Sequence, residues 1–187
     1  MKTFLTIARV LYDKGYNELI EASRILKREG AACKFQWLGQ IDTQYPQPVT
    51  EERIMEDQRN GLIEYLGEVE DVRDTMRASD CVILPSYHEG MSRVLMEATA
   101  MSKPIITSDI AGCREVVEDG GNGFLCKPRD VESLVAAIKK FMTLDESQVD
   151  AMGAKSREIA EAKFDVRDVI KAYETVIDEL LQQETGL

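Results

Sequence analysis

Short apolar runs alternate with amphipathic stretches along this chain. The run TFLTIA, residues 3–8, reads as a buried strand. Residues 15–30 follow with Leu19, Ile20, Ser23 and Leu26 on one helical face and Gly30 as a stop. A second strand is expected over 34–38, and the polar stretch 40–48, with Pro46 and Pro48, reads as a loop. Residues 50–60 predict a helix capped by Thr50, 62–66 a short strand and 71–78 a short helix. CVIL, residues 81–84, is apolar throughout and stops at Pro85, the pattern of a strand buried on both faces of a parallel sheet. A helix over 92–101, a strand over 104–107, a short helix over 114–118 and a strand over 123–126 continue the alternation. Asp130 is placed to cap a helix over 131–141, and further helical patterns run over 146–162 and 166–181.

Strands alternating with helices at this spacing predict an α/β fold. The expected architecture is a Rossmann-like, doubly wound parallel sheet of about six strands with helices on both faces, plus carboxyl-terminal helices. The 187 residues suit one domain with a sizeable core and a helical extension, which we divide as 1–165 and 166–187. The first strand begins at residue 3, which predicts a chain cut at a domain boundary. No apolar run approaches the ~20 residues that cross a bilayer. Arg9 breaks the opening stretch MKTFLTIARV, which is too short for a signal peptide.

Composition narrows the function classes. A net charge of −11 argues against non-specific nucleic-acid binding and against simple electrostatic docking on anionic lipid. Cys33, Cys81, Cys113 and Cys126 form no C-x-x-C pair, and His88 is the only histidine. That reads as reduced thiols in a cytoplasmic protein and argues against a zinc site.

The richest stretch is SYHEGMSRVLME, residues 86–97, which leaves a buried strand and opens a helix. Ligands of doubly wound sheets lie beyond the carboxyl ends of the strands, where strand order reverses. Glu89 and Gly90 fall at that edge, and the amides of Met91, Ser92, Arg93 and Val94 open the helix, a natural phosphate site. Glu97 lies about 60° from Val94 on the helical wheel, close to a face formed by Val94, Ala98 and Met101. Its carboxylate could accept from two ribose hydroxyls or pair with a neighbouring Lys or Arg; spacing alone leaves both open. His88 could act as a general base or be a surface residue.

ARVLYDKG follows the first strand and sets Arg9 and Lys14 on a strand-to-helix loop. With strands 1 and 4 adjacent, this loop faces Glu89 across one crevice. The two cations either clamp a diphosphate there or are solvated surface charges. The reading expects Lys14 and Glu97 to share that crevice.

Taken together, R-x-x-x-x-K-G, E-G-x-x-x-x-x-x-E, KPIITSD, GCREVVEDG and NGFLCKPRD resemble the carboxyl-terminal, donor-binding half of family 4 glycosyltransferases of the GT-B fold. The match runs in order over residues 4–141. The resemblance implies that Arg9 and Lys14 hold a donor diphosphate. It implies that Glu89 bonds the transferred sugar and that backbone around Gly90, Met91, Ser92, Arg93 and Val94 meets sugar and phosphate. Glu97 would hold the ribose, and the base would pack near Gly67 to Val69. Met91-Ser92 stands where an aromatic-glycine pair is commoner, and Arg93 where an aliphatic residue is usual. The E-G-x-x-R-V-L-x-E and GCRE variants resemble the subgroup that builds bacterial surface polysaccharides on lipid carriers.

The implied activity is retaining transfer of a hexosyl group from a nucleotide diphosphate sugar, with uridine as the expected base, to a glycan or lipid-linked acceptor. The amino-terminal acceptor domain would lie outside this chain, leaving the fragment alone inactive. In the intact enzyme, the last helix would pack back across that domain, and the enzyme could reach the membrane's inner face. The recurring active-site histidine of the resembled family lies in the other domain. No D-x-D motif occurs, so no metal or other cofactor is expected. Alternatives are a non-catalytic nucleotide-binding module and a GT-B-fold sugar-nucleotide epimerase. A dinucleotide dehydrogenase is disfavoured because no G-x-G-x-x-G follows the first strand.

Overall fold

The computed structural model describes residues 1–185, with side chains described to residue 181. Its elements, in chain order, are β1 (Lys2–Ile7), α1 (Tyr16–Arg28), β2 (Cys33–Leu38), α2 (Glu51–Arg59), β3 (Glu64–Tyr65), α3 (Arg73–Ala78) and β4 (Cys81–Leu84). α4 (Arg93–Ala100), β5 (Ile105–Ser108), α5 (Ala111–Arg114), β6 (Gly123–Cys126), α6 (Val131–Met142), α7 (Glu146–Lys163) and α8 (Val166–Thr185) follow. The six strands form one sheet in the order β3-β2-β1-β4-β5-β6, and every pair is parallel. The order reverses between β1 and β4, so the loops after these two strands are neighbours.

Alternation along the strands sorts the core into two faces. Phe4, Phe35, Trp37, Cys81, Ile83, Ile106 and Phe124 point to a layer completed by α1, α2 and α6. Leu5, Val82, Leu84 and Ile105 point to the opposite layer, with Met76, Leu95, Ala98 and Cys113 from α3, α4 and α5. Thr50, Asp130 and Asp145 accept backbone N–H groups at the starts of α2, α6 and α7, so these helices begin where their cap residues place them. The four thiols are free, and burial pushes that of Cys126 up to about 12.

Some boundaries differ from the sequence reading. The strand expected over 62–66 is confined to Glu64–Tyr65 at the sheet edge, although Leu66 N–H still reaches Trp37 C=O at 2.9 Å. The helix expected over 114–118 is instead α5, Ala111–Arg114. The buried side of α4 carries Leu95, Ala98 and Thr99, whereas Val94 and Met101 are half-buried. α8 is helical as expected, and Val166, Val169, Ile170, Tyr173, Val176, Ile177 and Leu180 are each at least half exposed along it.

One buried polar link has a measurable consequence. Tyr16 is fully buried and its hydroxyl donates to Asp57 at 3.1 Å, while Arg53 holds the same carboxylate at 2.7 Å. Burial first, and the Asp57 charge next, raise the Tyr16 pKa far above its ordinary 10.0. The unfolded chain releases this proton near that ordinary value and the native state does not. The stabilisation is therefore whole below pH 10.0 and is lost as pH rises beyond it. Tyr16→Phe should cost about 1 kcal/mol at neutral pH and flatten the alkaline fall of the melting temperature. Identical slopes above pH 10.0 in both proteins would discount Tyr16 as the alkaline trigger.

Candidate functional site

The loop after β1 closes through a single 3-10 turn, Tyr12–Lys14, and ends at Gly15. Gly15 has φ +83°, and a Cβ there would lie 2.2 Å from the Pro85 carbonyl oxygen. Only glycine permits this left-handed turn to lie against the end of β4. Tyr87 N–H and Ser86 Oγ both donate to Asp13 C=O, at 2.8 and 3.1 Å, and Ser86 Oγ also reaches His88 C=O at 3.0 Å. The loops after β1 and β4 are thereby zipped together. At the end of that zip Lys14 Nζ donates to Glu89 Oε1 at 2.7 Å, with side chains only 23% and 12% exposed.

Beside this pair lies a cleft of about 260 Å³ lined by Ala8, Arg9, Lys14, Glu89, Met91, Ser92, Arg93 and Val94, among others. Its helical wall is the start of α4, where the first intrahelical bond runs from Met96 N–H to Ser92 C=O at 3.1 Å. Among the described residues no side chain caps this helix start, so the preceding amides stay available. Arg9 reaches away from Lys14: its guanidinium donates to Asp42 at 2.7 Å and lies 5.9 Å from the Tyr45 ring centre. Tyr45 in turn donates its hydroxyl to Asp13 at 2.8 Å. Asp42 and Tyr45 sit in the stretch that the sequence marked only as a polar loop.

The expected residues divide between places. Arg9, Lys14, Glu89, Met91, Ser92, Arg93 and Val94 share the cleft. Gly90 is exposed in the same loop. Glu97 does not share it, so the expectation of a single crevice holding Lys14 and Glu97 is corrected. Glu97 lies one turn further along α4, exposed, and lines an adjoining groove of about 730 Å³ with Met96, Arg157 and Phe164. Arg93 lines both hollows and forms the ridge between them. Glu97 is not near-buried as its wheel position suggested, and among the described residues no Lys or Arg pairs with it. Gly67 accepts the Gly39 N–H at 2.7 Å, which links it to the loop after β2, and Val69 is 43% exposed. Neither residue lines the cleft, and His88 is exposed outside it.

Two supports escaped the sequence reading. A Cβ on Gly112 would lie 1.5 Å from Gly90 O and 2.5 Å from Glu89 O, so α5 packs directly against the backbone that presents Glu89. The GCRE block contained this glycine, but its spacing carries no sign of what it touches. Tyr87 donates its hydroxyl to Glu18, with both carboxylate oxygens within 2.8 Å, and Arg129 stacks over the Tyr87 ring at 4.4 Å. This braces the loop after β4 against α1 and the turn before α6.

The topology and the cleft at the strand-order reversal define an α/β domain of the kind whose ligands lie beyond the carboxyl ends of parallel strands. Residues 1–158 match the family of group 1 glycosyl transferases, and the chain belongs to that family. It is 25% identical over 180 residues to the capsular polysaccharide biosynthesis glycosyltransferase CapM of Staphylococcus aureus, covering 96% of this chain and 47% of the relative. It is 27% identical over 178 residues to the N,N'-diacetylbacillosaminyl-diphospho-undecaprenol alpha-1,3-N-acetylgalactosaminyltransferase of Campylobacter jejuni, covering 95% and 45%. The crystal structure of Alr3699/HepE from Anabaena, in complex with UDP, superposes with a TM-score of 0.81 at 24% identity, covering 95% of this chain and 48% of that one. The shared fold is the Rossmann-like half of a GT-B enzyme. The chain spans about half the length of the curated relatives it matches. Among the described residues no helix is long and apolar enough to cross a membrane.

Proposed function

We propose that this chain is the donor-binding half of a retaining hexosyltransferase that uses a nucleotide diphosphate sugar, with uridine as the base. The observation that carries this reading is the cleft that gathers Lys14, Arg9, Glu89 and the uncapped start of α4. In transfer, the bond from the anomeric carbon to the diphosphate oxygen breaks and the acceptor hydroxyl oxygen bonds to that carbon, its proton passing to the departing diphosphate. Negative charge grows on the departing diphosphate. Lys14, Arg9 once it leaves Asp42, and the amides of Ser92, Arg93 and Val94 are placed to receive it. Glu89 then holds hydroxyls of the sugar, and Met91 and Gly90 border it. Glu97, in the adjoining groove, holds the ribose, and the base extends toward Gly67 and Val69.

The acceptor, a glycan or a lipid-linked glycan, belongs to the part of the enzyme that the relatives possess beyond this span. The polysaccharide relatives support the lipid-linked choice, and with it a cytoplasmic enzyme working at the inner face of the membrane. The exposed stripe of α8 is available to pack on that other part. No metal is assigned, because the cleft's own cations and amides match the charge that develops.

Calorimetric titration tests the donor reading on the 187-residue chain. UDP should bind and NAD should not. Arg9→Ala should weaken UDP by about 1 kcal/mol and leave uridine unchanged, because the Arg9 head is 54% exposed and contributes as a surface charge. Equal losses for UDP and uridine would remove Arg9 from the phosphate position. Absence of UDP binding at millimolar concentration would remove the donor site altogether.

A further inference from the structure

Two of the three cations that line the cleft, Arg9 and Lys14, are already held by carboxylates in the ligand-free chain, and the two pairs differ in kind. Arg9–Asp42 is solvated, with Arg9 54% exposed, and its release costs little. Lys14–Glu89 is 2.7 Å long, mostly shielded from water, and bridges the two loops that the Asp13, Ser86 and Tyr87 bonds hold in place. A charge pair in such a setting is screened weakly, so any anion that approaches Lys14 also meets Glu89.

We infer that the Lys14–Glu89 pair discriminates the intact sugar donor from the nucleoside diphosphate left after transfer. The inference rests on the donor-site reading above. A diphosphate without a sugar must share Lys14 with a carboxylate that has no other partner among the described residues, and the like charges repel. A donor carrying its sugar gives Glu89 hydroxyls to accept from. Glu89 then releases Lys14 to the phosphates and its charge is satisfied. The sugar thereby completes the diphosphate grip, and its removal weakens that grip. The position of Glu89 depends on the backbone beneath it, where Gly112 meets Gly90 O, so the pair is set by the fold and not by loose surface side chains.

The inference makes Glu89 a specificity-determining residue with an unusual sign. A carboxylate that only shaped the site would, when removed, weaken every ligand or none. Here its removal strengthens the product. The test is calorimetry on the 187-residue chain with UDP, UDP-glucose and uridine, for wild type, Glu89→Gln, Lys14→Met and the double variant. Glu89→Gln should bind UDP about tenfold tighter than wild type, bind UDP-glucose more weakly, and leave uridine unchanged. Lys14→Met should bind UDP more weakly than the double variant, because it leaves Glu89 unpaired beside the phosphates. Glu89→Gln with unchanged or weaker UDP binding, while wild type still binds UDP, overturns the discrimination and leaves the donor site standing. If Glu89→Gln fails to fold, a double variant that binds UDP no better than Lys14→Met overturns it equally. Failure of wild type to bind UDP at all overturns the donor site, and the inference with it.

Discussion

Gly112→Ala is expected to abolish measurable UDP binding at concentrations where the wild-type chain is half-saturated, while lowering stability by about 2 kcal/mol. The added Cβ would stand 1.5 Å from Gly90 O and 2.5 Å from Glu89 O, and both obstacles are backbone atoms with no rotamer to change. Either α5 or the Glu89–Gly90 loop must move. α5 is anchored by the fully buried Cys113, whose sulfur meets Thr107 Oγ1 at 3.2 Å, and by its link to β5. The loop is the softer partner, because Gly90 is exposed. Its displacement pulls Glu89 off Lys14 and shifts the start of α4. Gly90→Ala is the control: a Cβ there meets nothing within 4 Å, so its melting temperature should match wild type. Wild-type UDP affinity in Gly112→Ala would mean that α5 yields instead, and that the support assigned to it is not needed.

The strands were the most legible part of this fold, and the reason is local. Residues 81–84 and 123–126 are short apolar runs bounded by Pro85 and by glycine or Lys127, and both fall on strands with those limits. The helices with caps at Thr50 and Asp130 were equally readable, because these residues satisfy amides within their own turn. The misplaced element was α5. Its second residue is Gly112, a poor helix former, and only the close approach of Gly90 O makes glycine necessary there. The apolar pattern alone puts such a helix past the glycine.

The same division runs through the site. Lys14, Glu89 and the start of α4 line one cleft because they follow the strands at the switch point, and that sheet order is a consequence of the strand-helix alternation. Asp42, Tyr45 and the Tyr87–Arg129 stack were not found, because each joins segments far apart in sequence across an irregular loop. The helical wheel puts Glu97 nearer the core than the structure does. Leu95, Ala98 and Thr99 take the buried side of α4, which turns Glu97 outward into the neighbouring groove. The helical pattern over 166–181 is legible from spacing alone, and its apolar residues from Val166 to Leu180 lie at least half exposed.

On the proposed donor reading, in a transferase that carries this chain Lys14→Met should lower kcat about 100-fold, the scale seen when one preorganised donor to a developing anion is lost. Arg9→Ala should lower it several-fold less, and the reason is their surroundings more than their chemistry. Lys14 is 23% exposed and meets the cleft from a turn fixed by Gly15, so its charge acts through little water. Arg9 is 54% exposed, begins bound to Asp42, and must surrender that partner before it helps. Lys14→Met carries a second penalty, because Glu89 is then left charged and shielded with no cation beside it. Glu89→Gln in the Lys14→Met background should therefore restore part of UDP binding without restoring transfer, since the sugar contact is gone. If the cleft's own groups carry the leaving charge, a chelator should leave the wild-type rate unchanged. A rate that falls with chelation and returns with a divalent cation would move the role assigned to Lys14 to that ion. A Lys14→Met enzyme with wild-type kcat would place the departing diphosphate outside this cleft.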